Sequence, residues 1–168
     1  ISLHYYEKDG YISYLTLLTD VAHNDLRVFD DTDYKRLTQY YSLSQILSNY
    51  GLPTDVYLAT WPYDPFVKSD YEPFIIVLVY AEVGFRVEYV FKADKLDNQI
   101  VGCPNESILT ITTWQPKENI SLQEIASIGI GYEFNSSSYE YFKPIDEVTS
   151  MTIEGFYNTF IDTESETC

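Results

Sequence analysis

Basic side chains are few in this sequence. Lysine and arginine together number 10 against 26 aspartates and glutamates, so the formal net charge at pH 7 is −16. A chain with this charge repels the phosphate backbone of nucleic acids and the anionic surface of membranes. We therefore exclude nucleic acid as a partner. The charge has two interpretations, which are solubility outside the cell and a specific role that depends on cations.

Long apolar segments are also missing. No run approaches the ~20 apolar residues of a transmembrane helix, so we expect no membrane span. The first residues lack the pattern of a signal peptide, and in an exported protein that segment is already removed. The length of 168 residues and the hydrophobic content of 45% predict one globular domain over 1–168, with a core at 40–114 and a C-terminal helical extension at 115–168.

Cysteine occurs only twice, as Cys103 and Cys168. An even number of cysteines in an acidic chain that we expect outside the cell favours a disulfide bond between them. In the chain-entropy account, closing a loop of this size stabilises the fold by roughly 4 kcal/mol. Two alternatives are open, which are free buried thiols and a bond from Cys168 to another chain.

Groups that commonly carry catalysis are scarce. His4 and His23 are the only histidines, and no nucleophile motif such as Gly-x-Ser-x-Gly accompanies them. The sequence has no glycine-rich phosphate-binding loop. Carboxylates are so frequent that pairs arise at any spacing, so a secreted hydrolase with two catalytic carboxylates has no support beyond their number. We therefore expect that the protein is not an enzyme and needs no cofactor.

Three aspartates form the only candidate for a metal site. Asp30, Asp31 and Asp33 supply the hard oxygen ligands that calcium prefers, but the glycine and the distal glutamate of an EF-hand loop are missing. A helix cap at the surface is the alternative for these residues. The two histidines and the two distant cysteines do not have the spacing of a zinc site.

Three asparagines match the N-glycosylation sequon. Asn105, Asn119 and Asn135 are each followed by a serine two positions later. In a chain of this serine and threonine content, some matches arise by chance. Roles in turns and helix caps are therefore the alternative to glycosylation at these positions.

A short helix with clear end signals opens the best-defined part of the sequence. Ser42 occupies the N-cap position, and Gln45 three residues later completes a capping-box pattern. Apolar residues at i, i+3, i+4 and i+7 predict a helix over 43–50. Gly51 and Pro53 then end it, because glycine accepts the conformation that follows a helix and proline cannot continue one.

Strands are predicted on both sides of this helix. Asp9-Gly10 is a turn signal between two short strands, and we expect the second of these, Tyr11 to Leu18, at the edge of the sheet. Residues 74–80 are apolar at every position, which indicates a strand buried on both faces. In the next strand apolar and polar side chains alternate, so we expect Arg86 and Glu88 on a solvated face.

The other elements follow from the same criteria. They are strands at 55–61 and 107–114 and helices that begin after Ser121, near Pro144 and at Thr152. Together the elements predict an α+β fold with an antiparallel sheet of about four to six strands. Short helices are expected on one face of this sheet, with an amphipathic helix at the C-terminus.

The phrase from Leu43 to Tyr57, which joins the helix, the Gly-x-Pro stop and a strand, resembles the signature of the SmpA/OmlA (BamE-like) envelope lipoproteins. Over the whole chain, including Val101-Gly102-Cys103-Pro104 and Met151 to Tyr157, the sequence looks more like uncharacterised exported bacterial lipoproteins. The resemblance implies helices packed on a three-stranded antiparallel sheet. It also implies export, a scaffold or binding role in the cell envelope, and no catalytic residue.

Tyrosine is abundant, with 17 residues, and it is enriched in strands and at protein interfaces. In one interpretation the protein is a non-catalytic module of the cell envelope or the extracellular space, whose Tyr-rich acidic face binds another surface protein or a glycan. In a second interpretation it is a self-assembling subunit of an extracellular filament or surface layer, in which copies pair through edge strands. The alternative is a purely structural role, in which the tyrosines cover one face of the sheet.

Overall fold

The structure is a computed structural model that describes residues 2–18, 39–60, 72–96, 99–102, 108–116, 120–128 and 138–161. The strands are β1 (Ser2–Lys8), β2 (Tyr11–Leu18), β3 (Asp55–Thr60), β4 (Glu72–Tyr80), β5 (Phe85–Leu96), β6 (Gln99–Gly102), β7 (Ile108–Trp114) and β8 (Lys143–Pro144). The helices are α1 (Leu43–Tyr50), α2 (Leu122–Ser127), α3 (Ile145–Val148) and α4 (Ile153–Phe160), with a 3-10 helix at Tyr139–Tyr141. Within these ranges no helix is long and apolar enough to cross a membrane.

All strand pairs in the described sheet are antiparallel. The strands follow the order β1-β2-β7-β5-β4-β3-β8, and β6 pairs with the end of β5. The predicted α+β class is confirmed. The predicted strand number is wrong, since eight strands are present in the described residues against about four to six expected. One reason is that β5 continues to Leu96 and turns back into β6, which is not among the predicted strands.

The sheet has two faces, and we name them by β4, whose alternate side chains point to opposite sides. The first face carries Ile76 and Leu78, and it packs against buried residues of α1 and α4, including Leu47 and Phe156. The second face carries Ile75, Val77 and Val79 and packs against α2. The prediction that helices cover one face only is therefore wrong, because β4 is apolar on both faces and each face needs a cover.

The N-cap and the C-terminal end of α1 are confirmed, but the predicted return bond from Gln45 is not, since the Ser42 amide donates to the carbonyl oxygen of Gln39 at 3.4 Å. The hydroxyl of Ser42 accepts a hydrogen bond from the Gln45 amide at 3.4 Å. Gly51 has a positive φ of 77°, and its amide donates to the carbonyl oxygen of Leu47 at 2.9 Å. Glycine is the residue that adopts such a φ without strain. The helix therefore ends where the Gly-x-Pro pattern predicts, and the chain continues into β3.

The expected position of Tyr11 to Leu18 at the sheet edge is wrong. This segment is β2, which lies between β1 and β7 and pairs with both. The edge strand at this end of the sheet is β1. Strand β7 inserts between β2 and the central strands, although about a hundred residues separate it from β2 along the chain.

The capping box of α2 is confirmed. The Ser121 hydroxyl accepts from the Glu124 amide at 3.2 Å, and the Glu124 carboxylate accepts from the Ser121 amide at 3.0 Å. We expect Ser121→Ala to lower the free energy of unfolding by about 1 kcal/mol, because the Glu124 amide loses the hydroxyl that accepts its hydrogen bond. Urea denaturation measures this loss. The control is Ser48→Ala at an exposed position inside α1, and an equal effect of the two changes would contradict the prediction.

Candidate functional site

The site residues predicted from sequence motifs lie outside the described residues. These are the calcium candidates Asp30, Asp31 and Asp33, the disulfide candidates Cys103 and Cys168, and the sequon asparagines Asn105, Asn119 and Asn135. In the part of the chain that the structure does describe, no group of three or more His, Cys, Asp or Glu side chains is placed to hold a metal ion.

The most exposed aromatic cluster lies on the hairpin of β1 and β2. The turn between the strands is formed by Asp9 and Gly10, which both have positive φ, at 54° and 79°. Two consecutive residues of positive φ make the turn whose twist matches that of a β-hairpin, and Asp-Gly is a preferred sequence for it. The turn predicted from the sequence is confirmed. It fixes the register, in which Lys8 faces Tyr11.

Strand β1 is an edge strand of seven residues. Among the described elements it pairs with β2 alone, so one side of its backbone faces no other described strand. The pairing with β2 shifts by one residue between Tyr6 and Glu7, and the extra residue, Ser13, lies in β2. Edge strands expose N–H and C=O groups to which another extended chain can pair, and a bulge limits the length available for that pairing. The regular part of the edge is therefore Ser2 to Tyr6.

Apolar side chains accompany this edge. We call Leu3, Tyr5, Tyr6, Tyr11 and Ile12 the hairpin surface, and each of them is at least 50% exposed, with Tyr11 reaching 78%. Single exposed apolar residues are common on protein surfaces, but here five of them share one hairpin, and both faces of the hairpin carry exposed apolar side chains beside the strand edge. The hairpin surface thus combines side-chain contacts with backbone hydrogen-bonding groups.

The hairpin is anchored to the sheet by its second-face side chains. The rings of Tyr6 and Tyr14 stack at a centroid distance of 5.5 Å and an interplanar angle of 12°. Tyr14 faces the buried Trp114 of β7 in the register. The hydroxyls of Thr16 and Thr112, which are buried, lie 3.2 Å apart across the same strand pair. These contacts fix the position of the hairpin on the sheet.

Beside this anchor the second face carries a buried group of polar side chains. We call Thr16, Arg86, Glu88, Thr110 and Thr112 the polar layer, and each is 0% exposed. The expectation that Arg86 and Glu88 lie on a solvated face is therefore wrong. The register places Arg86 opposite Val79 and Glu88 opposite Val77, whose side chains α2 and its neighbours cover. The same cover removes the two charged residues from water.

The charge of Arg86 is balanced inside the protein. Burial lowers the pKa of the guanidinium to about 10, and the negative charge of Glu88 acts in the opposite direction. Nη1 of Arg86 also donates a hydrogen bond to the carbonyl oxygen of Ile125 in α2. The guanidinium therefore links the centre of the sheet to the helix above it. Because these groups are fully buried, their role is in stability and in fixing α2, rather than in contact with a ligand at the surface.

The tyrosines divide into two groups with different roles. Tyr89 is buried in the first-face core and its hydroxyl donates to the carbonyl oxygen of Tyr41 at 2.9 Å. Burial raises the pKa of Tyr89 well above its usual value. Tyr80 is buried too, and its hydroxyl donates to the carbonyl oxygen of Gly51 at 3.0 Å. Tyrosine content alone does not separate these core residues from the exposed rings of the hairpin surface.

No family model matches the chain, and no curated protein and no solved structure matches it either. The resemblance to the SmpA/OmlA (BamE-like) envelope lipoproteins therefore stays a prediction from the sequence.

Proposed function

We propose that the protein is a non-catalytic binding module, exported to the cell envelope or surface, and that it binds a segment of another protein at the β1 edge. In this proposal the partner adds a strand beside Ser2 to Tyr6, and its side chains pack on the hairpin surface. The single observation that carries the proposal is that β1 pairs on one side only among the described strands and that five exposed apolar side chains lie on the same hairpin. Strand addition takes its affinity from backbone hydrogen bonds and its specificity from alternate side chains.

The order of elements supports the envelope assignment within the proposal. After α1 and the Gly-x-Pro stop, β3, β4 and β5 form a meander in which sequential strands are neighbours. The resemblance to the SmpA/OmlA (BamE-like) lipoproteins implies helices packed on a three-stranded antiparallel sheet, and these three strands are part of a sheet of eight strands in the described residues. Those lipoproteins have scaffold and binding roles in the envelope, and a binding role is what an exposed hairpin surface can perform.

We expect the binding of an extended peptide to depend on the hairpin surface. Peptides selected from a displayed random library against the wild-type protein should bind the double variant Tyr5→Ser/Tyr11→Ser about tenfold more weakly or worse, because two exposed rings are often the dominant contacts of an interface. Fluorescence anisotropy with labelled peptides measures the affinities.

The matched control for this experiment is Tyr40→Ser. Tyr40 is 73% exposed, similar to Tyr11, but it lies outside the hairpin. Its replacement should leave the affinities unchanged. Selected peptides that tolerate the double variant as well as the control would refute the proposed site. Thermal unfolding of each variant verifies that the fold is retained.

A second candidate function rests on the same open edge. In this function copies pair edge to edge, with β1 of one copy against the opposite sheet edge of the next, and build a filament or surface layer. The net charge of −16 opposes this assembly, since copies of the chain repel one another. Light scattering of the purified protein separates the two functions, because a binding module gives a discrete species and a polymer subunit gives particles that grow with concentration.

A further inference from the structure

We propose that the partner segment bound at the β1 edge is cationic, with lysine or arginine alternating with apolar residues over about the length of β1. This inference rests on the proposed function and adds the chemical class of the partner. It follows from the charge of the chain, from the geometry of strand addition and from the type of side chain exposed on the hairpin.

The net charge of the chain favours some binding partners at the β1 edge over others. The formal net charge of −16 favours association with cationic chains and disfavours a second copy of this chain. At the hairpin itself, Glu7 and Asp9 are exposed acids, and Lys8 is the one basic residue between them. The local charge therefore has the same sign as the charge of the whole chain.

Strand addition sets the spacing of the partner's side chains. In an added strand, successive side chains point to opposite faces of the sheet. On the first face, Leu3 and Tyr5 are exposed, and they pair with Leu17 and Leu15 in the register. Apolar side chains of the partner can cover these residues. The partner's side chains between these apolar ones then point to the opposite face of the sheet. In an alternating sequence they carry the positive charges.

Tyrosine rings suit a cationic neighbour. Lysine and arginine bind over the face of an aromatic ring because the ring quadrupole attracts the positive charge. Tyr6 is half exposed on the second face, in its stack with Tyr14, and Tyr11 at the end of the hairpin is the most exposed ring of the hairpin surface. A partner with alternating lysines can thus place apolar groups on one face and charges near a ring on the other.

Three synthetic peptides of seven residues test the inference. In all three, valine alternates with a second residue, which is lysine in the first peptide, serine in the second and glutamate in the third. We expect the lysine peptide to bind the wild-type protein at least tenfold more tightly than the serine peptide, with the glutamate peptide weakest. The preference for lysine should shrink between 0.05 and about 0.5 M salt, because screening shortens the reach of charges. Isothermal calorimetry gives the affinities.

Mapping by NMR keeps the inference separate from the proposed function. Backbone amide shifts on titration should be largest in β1, and the Tyr5→Ser/Tyr11→Ser variant should weaken the lysine peptide where Tyr40→Ser does not. Equal binding of the lysine and serine peptides at β1 would overturn the cationic partner and leave the proposed function in place. Absence of shifts at β1 with all three peptides would overturn both, and so would shifts confined to residues outside the hairpin.

Discussion

Replacement of Glu88 by glutamine is expected to destabilise the protein by roughly 3–5 kcal/mol, the range found when a buried charge loses the opposite charge that compensates it. Glutamine keeps the shape of the side chain but removes its charge. The guanidinium of Arg86, which is 0% exposed, then loses the negative charge that opposes the effect of burial on its pKa. Urea denaturation followed by circular dichroism measures the free energy of unfolding.

A matched control and a double variant test whether the loss of stability comes from the buried position of the Glu88 charge. Glu82→Gln removes the same charge at an exposed position in the turn before β5, and we expect a change within about 0.5 kcal/mol. The double change Arg86→Met/Glu88→Leu should recover much of the lost stability, because hydrophobic residues of similar volume often replace a buried pair without cost. Similar losses from Glu88→Gln and Glu82→Gln would contradict a stabilising role of the buried Glu88 charge.

Local signals in the sequence predicted most of the individual elements. Helix α1 begins and ends at the predicted residues because Ser42 and Gly51 act within one turn of the helix. The capping box of α2 and the Asp9-Gly10 turn were predicted for the same reason. Each of these signals concerns a few neighbouring backbone groups, so no distant part of the chain is needed to interpret it.

The burial of Arg86 and Glu88 was missed because it depends on distant segments. Alternation in β5 indicates correctly that the two side chains share a face, but whether water reaches that face depends on α2, some forty residues later. A usable signal was present in β4. A strand that is apolar on both faces requires cover on both, and the same cover extends over the second face of its neighbour, where Val79 faces Arg86.

The candidate interface was predicted only in part. The abundance of tyrosine suggested a contact surface, but composition does not show which rings are exposed, and Tyr89 and Tyr11 differ only in their position in the sheet. The sequence predicts Tyr11 to Leu18 as the edge strand of the sheet, but β1 is the edge strand. Hairpin formation is local, whereas the pairing of β2 with β7 joins residues such as Leu15 and Thr113 that are far apart in the chain. Neither segment alone contains a sequence signal that predicts such long-range pairing.

The turn between β4 and β5 gives the second prediction of large effect. Gly84 has φ of 75°, and a Cβ at this position would overlap the backbone carbonyl oxygen of Trp114 and lie 3.1 Å from ring carbons of Pro116. The carbonyl oxygen of Gly84 accepts a hydrogen bond from the Trp114 amide at 2.7 Å, so the two backbones cannot separate without losing it. Glycine is therefore required here for its conformation and for its lack of a side chain.

We expect Gly84→Ala to destabilise the protein by about 3 kcal/mol or more. Backbone strain at a positive φ contributes roughly 1–3 kcal/mol, and the overlap with Trp114 adds a cost of similar size. Gly10→Ala is the matched control, because Gly10 has a similar φ of 79° but no atom within 4 Å of the added Cβ. That variant should lose only about 1–2 kcal/mol, from strain alone. Equal losses in urea denaturation would show that the end of β7 does not pack against the turn as closely as the structure indicates, whereas a larger loss for Gly84→Ala assigns the difference to the contact between the turn and β7.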